Sequence, residues 1–159
     1  MEPFFADYLT SIAEAFKDFR KAIRDLPQEA LDWVPGEGMN SLVVLVMHTM
    51  GAARYWTGDV ALQESSNRDR AAEFAAQGVS EAELLARIDE VEAYIRSAAE
   101  RLTLADLSTM QTSQFHRAHP DSDARKTFSV GWCLLHTLDH TTLHVGHAQI
   151  TRQLWEQRH

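Results

Sequence analysis

The sequence predicts an all-α protein, a four-helix bundle of long helices joined by loops. Apolar residues recur in steps of three and four over segments of about 20 to 30 residues, the period of a helix face turned into a core. The 4 prolines and 7 glycines are scarce, the prolines lie at or beyond the ends of these segments, and no run alternates like a strand. We therefore expect one four-helix domain over residues 1–159.

The first helix is predicted over residues 3–26, before Pro27 interrupts it. Its apolar stripe comprises Phe5, Leu9, Ile12, Phe16, Phe19, Ile23 and Leu26. A connection rich in proline and glycine follows, and the second helix is predicted over 40–63, with Asn40 or Ser41 as its N-cap.

A polar stretch after residue 63 is consistent with a short helical turn and leads to the third predicted helix, 80–102. Ser80 and Glu83 have the spacing of a capping box. The apolar stripe of this helix comprises Leu84, Ile88, Val91, Ile95, Ala98 and Leu102. A second polar stretch contains His116 and His119, which we interpret as solvated loop residues, and the fourth helix is predicted over 127–156.

Composition restricts the class of function. The net charge of -8 argues against nucleic acid as a partner, because phosphate binding depends on clustered Lys and Arg. No apolar run approaches the roughly 18 residues of a membrane span. The first residues lack the features of a signal peptide, and Cys133 is the only cysteine. We expect a cytoplasmic protein that acts on a small-molecule substrate.

The fourth helix carries half of the 8 histidines on one face. At about 100° per residue, His136, His140, His144 and His147 fall within a sector of about 80°. They cannot all bind one ion, because His136 and His144 are about 12 Å apart along the axis. One neighbouring pair is the expected ligand set, and its i, i+4 spacing is that of the two histidines in a zinc-binding HExxH helix.

A third ligand is available from the second helix, where His48 lies in the middle of a mostly small or apolar face. If His48 points inward, opposite His140 and His144, the three form a tri-histidine site with open coordination positions, as catalytic metal centres have. Imidazole ligands suit zinc, nickel, copper or ferrous iron better than magnesium or calcium.

These residues resemble the DinB-like (DinB/YfiT) superfamily of metal-binding four-helix bundles. The family's second-helix pattern HxxxxxxxW is matched from His48 to Trp56, and its last-helix pattern HxxxHxGQ is approximated by HTTLHVGH, residues 140–147. The segment NRDRAAEF, residues 67–74, is also similar. The resemblance selects His48, His140 and His144 as the metal ligands. The sequence departs from the pattern at His147, where Gln is usual, so His147 is either a fourth ligand or a neighbour of the site.

The resemblance implies a function class. Characterised members include transferases and isomerases that use bacillithiol, mycothiol or glutathione, so we expect a divalent metal, zinc or nickel, and a low-molecular-weight thiol as cosubstrate. A metal-dependent hydrolase, a noncatalytic binding protein for a metal or small ligand, and a bundle with a structural metal are the alternatives. His147, His136 and Tyr55 are the candidates for the acid–base residue.

A homodimer is also expected. The fourth helix carries Leu134, Leu138 and Val145 roughly opposite its histidines, so it is apolar most of the way round. Such a helix is either central or shared with a partner, and homodimers are frequent in the family that the sequence resembles.

Overall fold

The computed structural model describes residues 1–113 and 126–158, so His116 and His119 lie outside the described residues. The elements in chain order are α1 (Pro3–Ile23), α2 (Gln28–Asp32), α3 (Leu42–Arg54), a π-helical continuation (Tyr55–Leu62), α4 (Arg70–Phe74), α5 (Glu81–Arg101), a 3-10 turn (Leu104–Ser108), β1 (Met110–Thr112), β2 (Thr127–Ser129) and α6 (Val130–Gln157). The all-α fold class is confirmed, with a minor two-stranded sheet added.

The four long helices form a ring in which α1 contacts α6 and α5, and α3 contacts the same two helices from the other side. Helix α1 is therefore diagonal to α3, and α5 is diagonal to α6. This arrangement places the second and the last long helix side by side, although α5 lies between them in the chain. The contact between α3 and α6 is the one that brings His48 next to the histidines of the fourth helix.

The predicted stripes of the first and third helices form the centre of the core. Phe16, Phe19 and Ile23 on α1 and Leu84, Ile88 and Ile95 on α5 are fully buried. Leu26 and Leu102, at the ends of the predicted stripes, are only partly buried and pack against the same core. Burial of these apolar surfaces is the main stabilising contribution to such a bundle.

Side chains cap three of the long helices. Ser41 Oγ accepts a hydrogen bond from the Val44 amide at the start of α3, so Ser41 rather than Asn40 is the cap. The predicted capping box of Ser80 and Glu83 is present at the start of α5. Ser129 Oγ accepts from the Trp132 amide and starts α6.

Two predicted boundaries are wrong. Helix α1 ends at Ile23 rather than at residue 26, and Asp25 then adopts a left-handed φ of 59°, which turns the chain before Pro27. Helix α6 begins at Val130 rather than at Thr127, because residues 127–129 pair antiparallel with β1, Met110 opposite Ser129. Strands of three residues are too short to produce a visible alternation in the sequence.

Helix α6 is buried on more than one side. Cys133 and Thr151, on the side of the histidines, are buried, and so are Leu134 and Val145 on the roughly opposite side. The histidines themselves are less deep: His140 and His144 are half-buried, and His147 is exposed. Over the described ranges, no helix is sufficiently long and apolar to cross a membrane.

Candidate metal centre

Three histidines converge between α3 and α6. His48, His140 and His144 each offer one ring nitrogen, and these three atoms lie within 4.8 Å of one another. The ring centroid of His48 is 5.1 Å from that of His140 and 5.2 Å from that of His144, both in edge-on arrangements. The rings of His140 and His144 are 4.5 Å apart, on successive turns of α6.

The position of His48 follows from the sequence of α3, which is apolar almost throughout and begins at the Ser41 cap. Eleven of its thirteen residues are buried, and His48 is 8% exposed. A polar ring at this depth requires partners on more than one side. The ring of His48 contacts the carboxylate of Glu73 on one side and the imidazoles of His140 and His144 on the other.

Burial favours the neutral form of the two candidate ligands on α6. Burial, reinforced by the neighbouring His144 and His48, lowers the pKa of His140 to about 3. Burial, with His48 and His147 nearby, lowers the pKa of His144 to about 4. A neutral imidazole has a free lone pair, which is the form that binds a metal ion.

The residues present fit a divalent ion of the zinc class. Ligand nitrogens about 2.1 Å from a tetrahedral ion are about 3.4 Å apart, so atoms within 4.8 Å require only small ring movements. Within the part of the chain that the structure describes, the half-buried ring of His140 makes no hydrogen bond to another protein group. Three converging nitrogen donors, one of them on a ring without a protein partner, are consistent with a site that an ion completes.

Glu73 and Arg68, which no sequence pattern predicted as site residues, contact His48 on the side away from α6. Glu73 Oε2 lies 3.2 Å from His48 Nδ1, and Arg68 binds both oxygens of Glu73, at 2.6 and 2.7 Å. Burial raises the pKa of Glu73, but the hydrogen bonds from Arg68 and His48 outweigh it and keep the pKa below its ordinary value. Both residues belong to the NRDRAAEF segment, which was noted only for its similarity.

The three acid–base candidates occupy different places. His147 Nδ1 lies 3.2 Å from His144 Nδ1, so His147 directly contacts a ligand. His136 stacks on Trp132, with centroids 4.6 Å apart and planes at 10°, and its ring is 5.7 Å from that of His140. Burial lowers the pKa of His136, despite an opposing effect of Asp139. Tyr55 is buried, and its hydroxyl is hydrogen-bonded to Ser113 Oγ.

A cavity of about 280 Å³ opens beside His147. Its walls come from the loop before α3, from α3 itself and from α6, and they include Met39, Leu45, Ile150 and Thr151. Leu45 and Thr151 are buried, whereas Met39 and Ile150 are exposed at its rim. His147 therefore lines an apolar cavity and at the same time contacts His144 of the histidine cluster.

Both the sequence and the fold resemble known proteins. The sequence model of the DinB superfamily matches residues 11–148, which include all three candidate ligands. A crystal structure described as the conserved protein of locus from Enterococcus faecalis aligns with a TM-score of 0.71 over 97% of this chain and 98% of that one, at 15% identity. That likeness concerns the fold alone. No curated protein is significantly similar in sequence.

Proposed function

The chain belongs to the DinB superfamily, and from this premise we propose that it is a metal-dependent transferase that joins a low-molecular-weight thiol to a small electrophilic substrate. His48, His140 and His144 would hold the metal. The observation that carries the proposal is the convergence of three imidazole nitrogens from two helices within 4.8 Å.

Zinc or nickel is the proposed metal, because both accept imidazole ligands readily. Three protein ligands leave coordination positions open, which is the arrangement of catalytic rather than structural centres. A bound divalent ion would supply Lewis acidity that favours the ionised form of a thiol.

The surroundings of the site support a small-molecule substrate. The cavity lined by Met39, Leu45 and Ile150 is apolar and adjoins His147, so it is suited to the apolar part of a substrate whose reacting group lies at the histidine cluster. His147 is the favoured acid–base residue because it contacts His144 and is exposed, and can therefore exchange protons with solvent. His136 and Tyr55 remain the second candidates.

Two measurements test the proposal. Elemental analysis of protein purified without a histidine tag or added metal should give about one zinc or nickel per chain, and none in His48→Ala. The metal-loaded protein is then incubated with bacillithiol, mycothiol or glutathione and a panel of electrophiles, and thiol conjugates are detected by mass spectrometry. Conjugation that disappears in His140→Ala supports the transferase.

Other outcomes point to the alternatives. Turnover of an ester or amide without any thiol would indicate a metal-dependent hydrolase. Saturable binding of metal and small ligands without product across the panel would indicate a noncatalytic binding protein. A protein free of transition metal that also fails to bind added zinc or nickel would contradict the proposed site itself.

We also propose that the protein forms a homodimer through α6. Leu135, Leu143, Ile150 and Leu154 are exposed on this helix by 59%, 56%, 52% and 39%. They lie on one side, next to the face that carries the histidines. Exposed apolar residues arranged along a helix favour burial against a second helix, and an identical copy supplies a self-complementary one.

A further inference from the structure

We propose that Glu73, held by Arg68, is a positioning residue that fixes the ring orientation and the tautomer of His48, so that Nε2 is the nitrogen available to a metal ion. The inference rests on the proposed metal site but adds two residues to it, and it can be tested in the metal-free protein.

The carboxylate of Glu73 is rigidly held. Arg68 Nε donates to Oε1 at 2.6 Å and Nη2 donates to Oε2 at 2.7 Å, which is a bidentate pair. Both side chains are 8% exposed. An ionised carboxylate at this depth is costly without a partner, and the fork of Arg68 compensates for the lost hydration.

The main buried contact of helix α4 is the one between Glu73 and His48. The helix contains five residues, is capped by Asp69, and its only buried residue is Glu73 rather than an apolar side chain. The next residue, Phe74, packs its ring 4.6 Å from that of His48. This short helix therefore buries a carboxylate against His48 and packs the partly exposed ring of Phe74 on the same imidazole, a placement suited to orienting that histidine.

The hydrogen-bond geometry selects one tautomer. His48 Nδ1 lies 3.2 Å from Glu73 Oε2 and 3.5 Å from Arg68 Nη2. Arg68 Nη2 has a second N–H that could donate to Nδ1, but that contact is the longer one, at the limit of a hydrogen bond. An ionised carboxylate only accepts, so the shorter contact with Oε2 is a hydrogen bond only when Nδ1 carries the proton. Nε2 then keeps its lone pair, as in carboxylate–histidine–metal arrangements, where the remote carboxylate orients the ligand.

Gly51 provides the space for the carboxylate. It lies one turn after His48 on α3, and a Cβ at this position would be only 1.9 Å from Glu73 Oε1 and 2.6 Å from its carboxyl carbon. Gly51→Ala would therefore displace the carboxylate while leaving the chemistry of Glu73 and His48 unchanged. This gives a second variant, independent of any change in charge.

The decisive experiment is nitrogen-15 NMR of the imidazole rings in the metal-free full-length protein, with His48 assigned by loss of its signals in His48→Gln. We expect Nδ1 of His48 to be protonated and Nε2 to be unprotonated. A spectrum with the proton on Nε2 overturns the inference, whether or not the protein binds metal. This readout does not depend on activity.

Zinc affinity, measured by competition with a chromophoric chelator, gives the second readout. Glu73→Gln and Gly51→Ala should each weaken binding by about 10- to 100-fold, the usual effect of losing such a partner. The matched control is Glu64→Gln, because Glu64 also pairs with an arginine, Arg101, but contacts no described histidine. Its affinity should be within twofold of wild type.

The outcomes separate the two proposals. If the wild type binds neither zinc nor nickel, the proposed function fails, and the tautomer still decides the inference. If the wild type binds zinc and both variants bind it equally well, Glu73 only fixes the loop, and the inference is wrong. If Glu73→Gln does not fold, the inference is tested by the zinc affinity of Gly51→Ala and by the nitrogen-15 spectrum of the wild type, since neither measurement requires that variant.

Discussion

The rings of His48 and His140 lie edge to face with their centroids 5.1 Å apart, although they belong to helices that are separated in the chain by the whole of α5. The contact exists because the ring of four helices places α3 beside α6. Any function of the site depends on this one helix pair.

Alanine at a ligand position should remove the metal. With His48→Ala or His140→Ala we expect metal content to fall from about one ion per chain to background, because two imidazoles seldom retain an ion that three bind. Elemental analysis after gel filtration measures it. His136→Ala is the control, since His136 stacks on Trp132 outside the cluster and should retain the metal. Loss of metal from this control would extend the ligand set.

Stability of the metal-free protein should fall as the pH is lowered below about 6.5. The folded-state pKa is about 3 for His140 and about 4 for His144, against an ordinary value of 6.5 in the unfolded chain. The unfolded state binds more protons between these values, so the stability present above pH 6.5 is lost toward the folded pKa values.

Allowing for partial exposure, we expect a decrease of about 1–2 kcal/mol in the free energy of unfolding between pH 7 and 5. Urea titrations across this range measure it. A variant with both His140→Asn and His144→Asn should show a shallower dependence, and an equal slope would assign the effect to other groups.

His147 should strengthen zinc binding without being a metal ligand itself. His147→Ala removes the contact with His144 Nδ1, and we expect zinc affinity to fall about tenfold with one ion still bound. His147→Gln, which introduces the residue usual in the family, should weaken binding less, because the amide retains a polar partner for His144. A loss as complete as that of His140→Ala would instead make His147 a fourth ligand.

The exposed leucines of α6 should control the oligomeric state. We expect the wild type to sediment as a dimer, and Leu135→Glu with Leu143→Glu to sediment as a monomer, because paired helices cannot bury these charges. Leu104→Glu is the control, since Leu104 is 48% exposed on the 3-10 turn and does not belong to the row of exposed residues along α6. A wild type that sediments as a monomer would contradict the proposed dimer.

The periodic parts of the fold could be predicted from the sequence. The stripes of α1 and α5 and the Ser80 capping box depend on local spacing, which the sequence displays directly. The start of α6 could not be predicted, because the pairing of residues 127–129 with 110–112 is a nonlocal interaction. The burial of the α6 histidines could not be predicted, because periodicity identifies a face but not the angle at which neighbouring helices cover it.

The candidate site was predictable only in part. Spacing placed His140 and His144 on one face, and an isolated histidine in an apolar helix identified His48. Glu73 and Arg68 gave no such signal, because their approach to His48 depends on the path of the loop after the π-helical segment.

The stack of Trp132 on His136 makes the indole a neighbour of the histidine cluster, with Trp56 edge-on to the same ring at 4.9 Å. An ion with an open electronic shell, such as nickel, quenches the emission of indoles this close, whereas zinc with its filled shell does not. Native fluorescence should therefore report which of the two ions occupies the protein, and stopped-flow recording of the same signal should give the rate at which the ion enters.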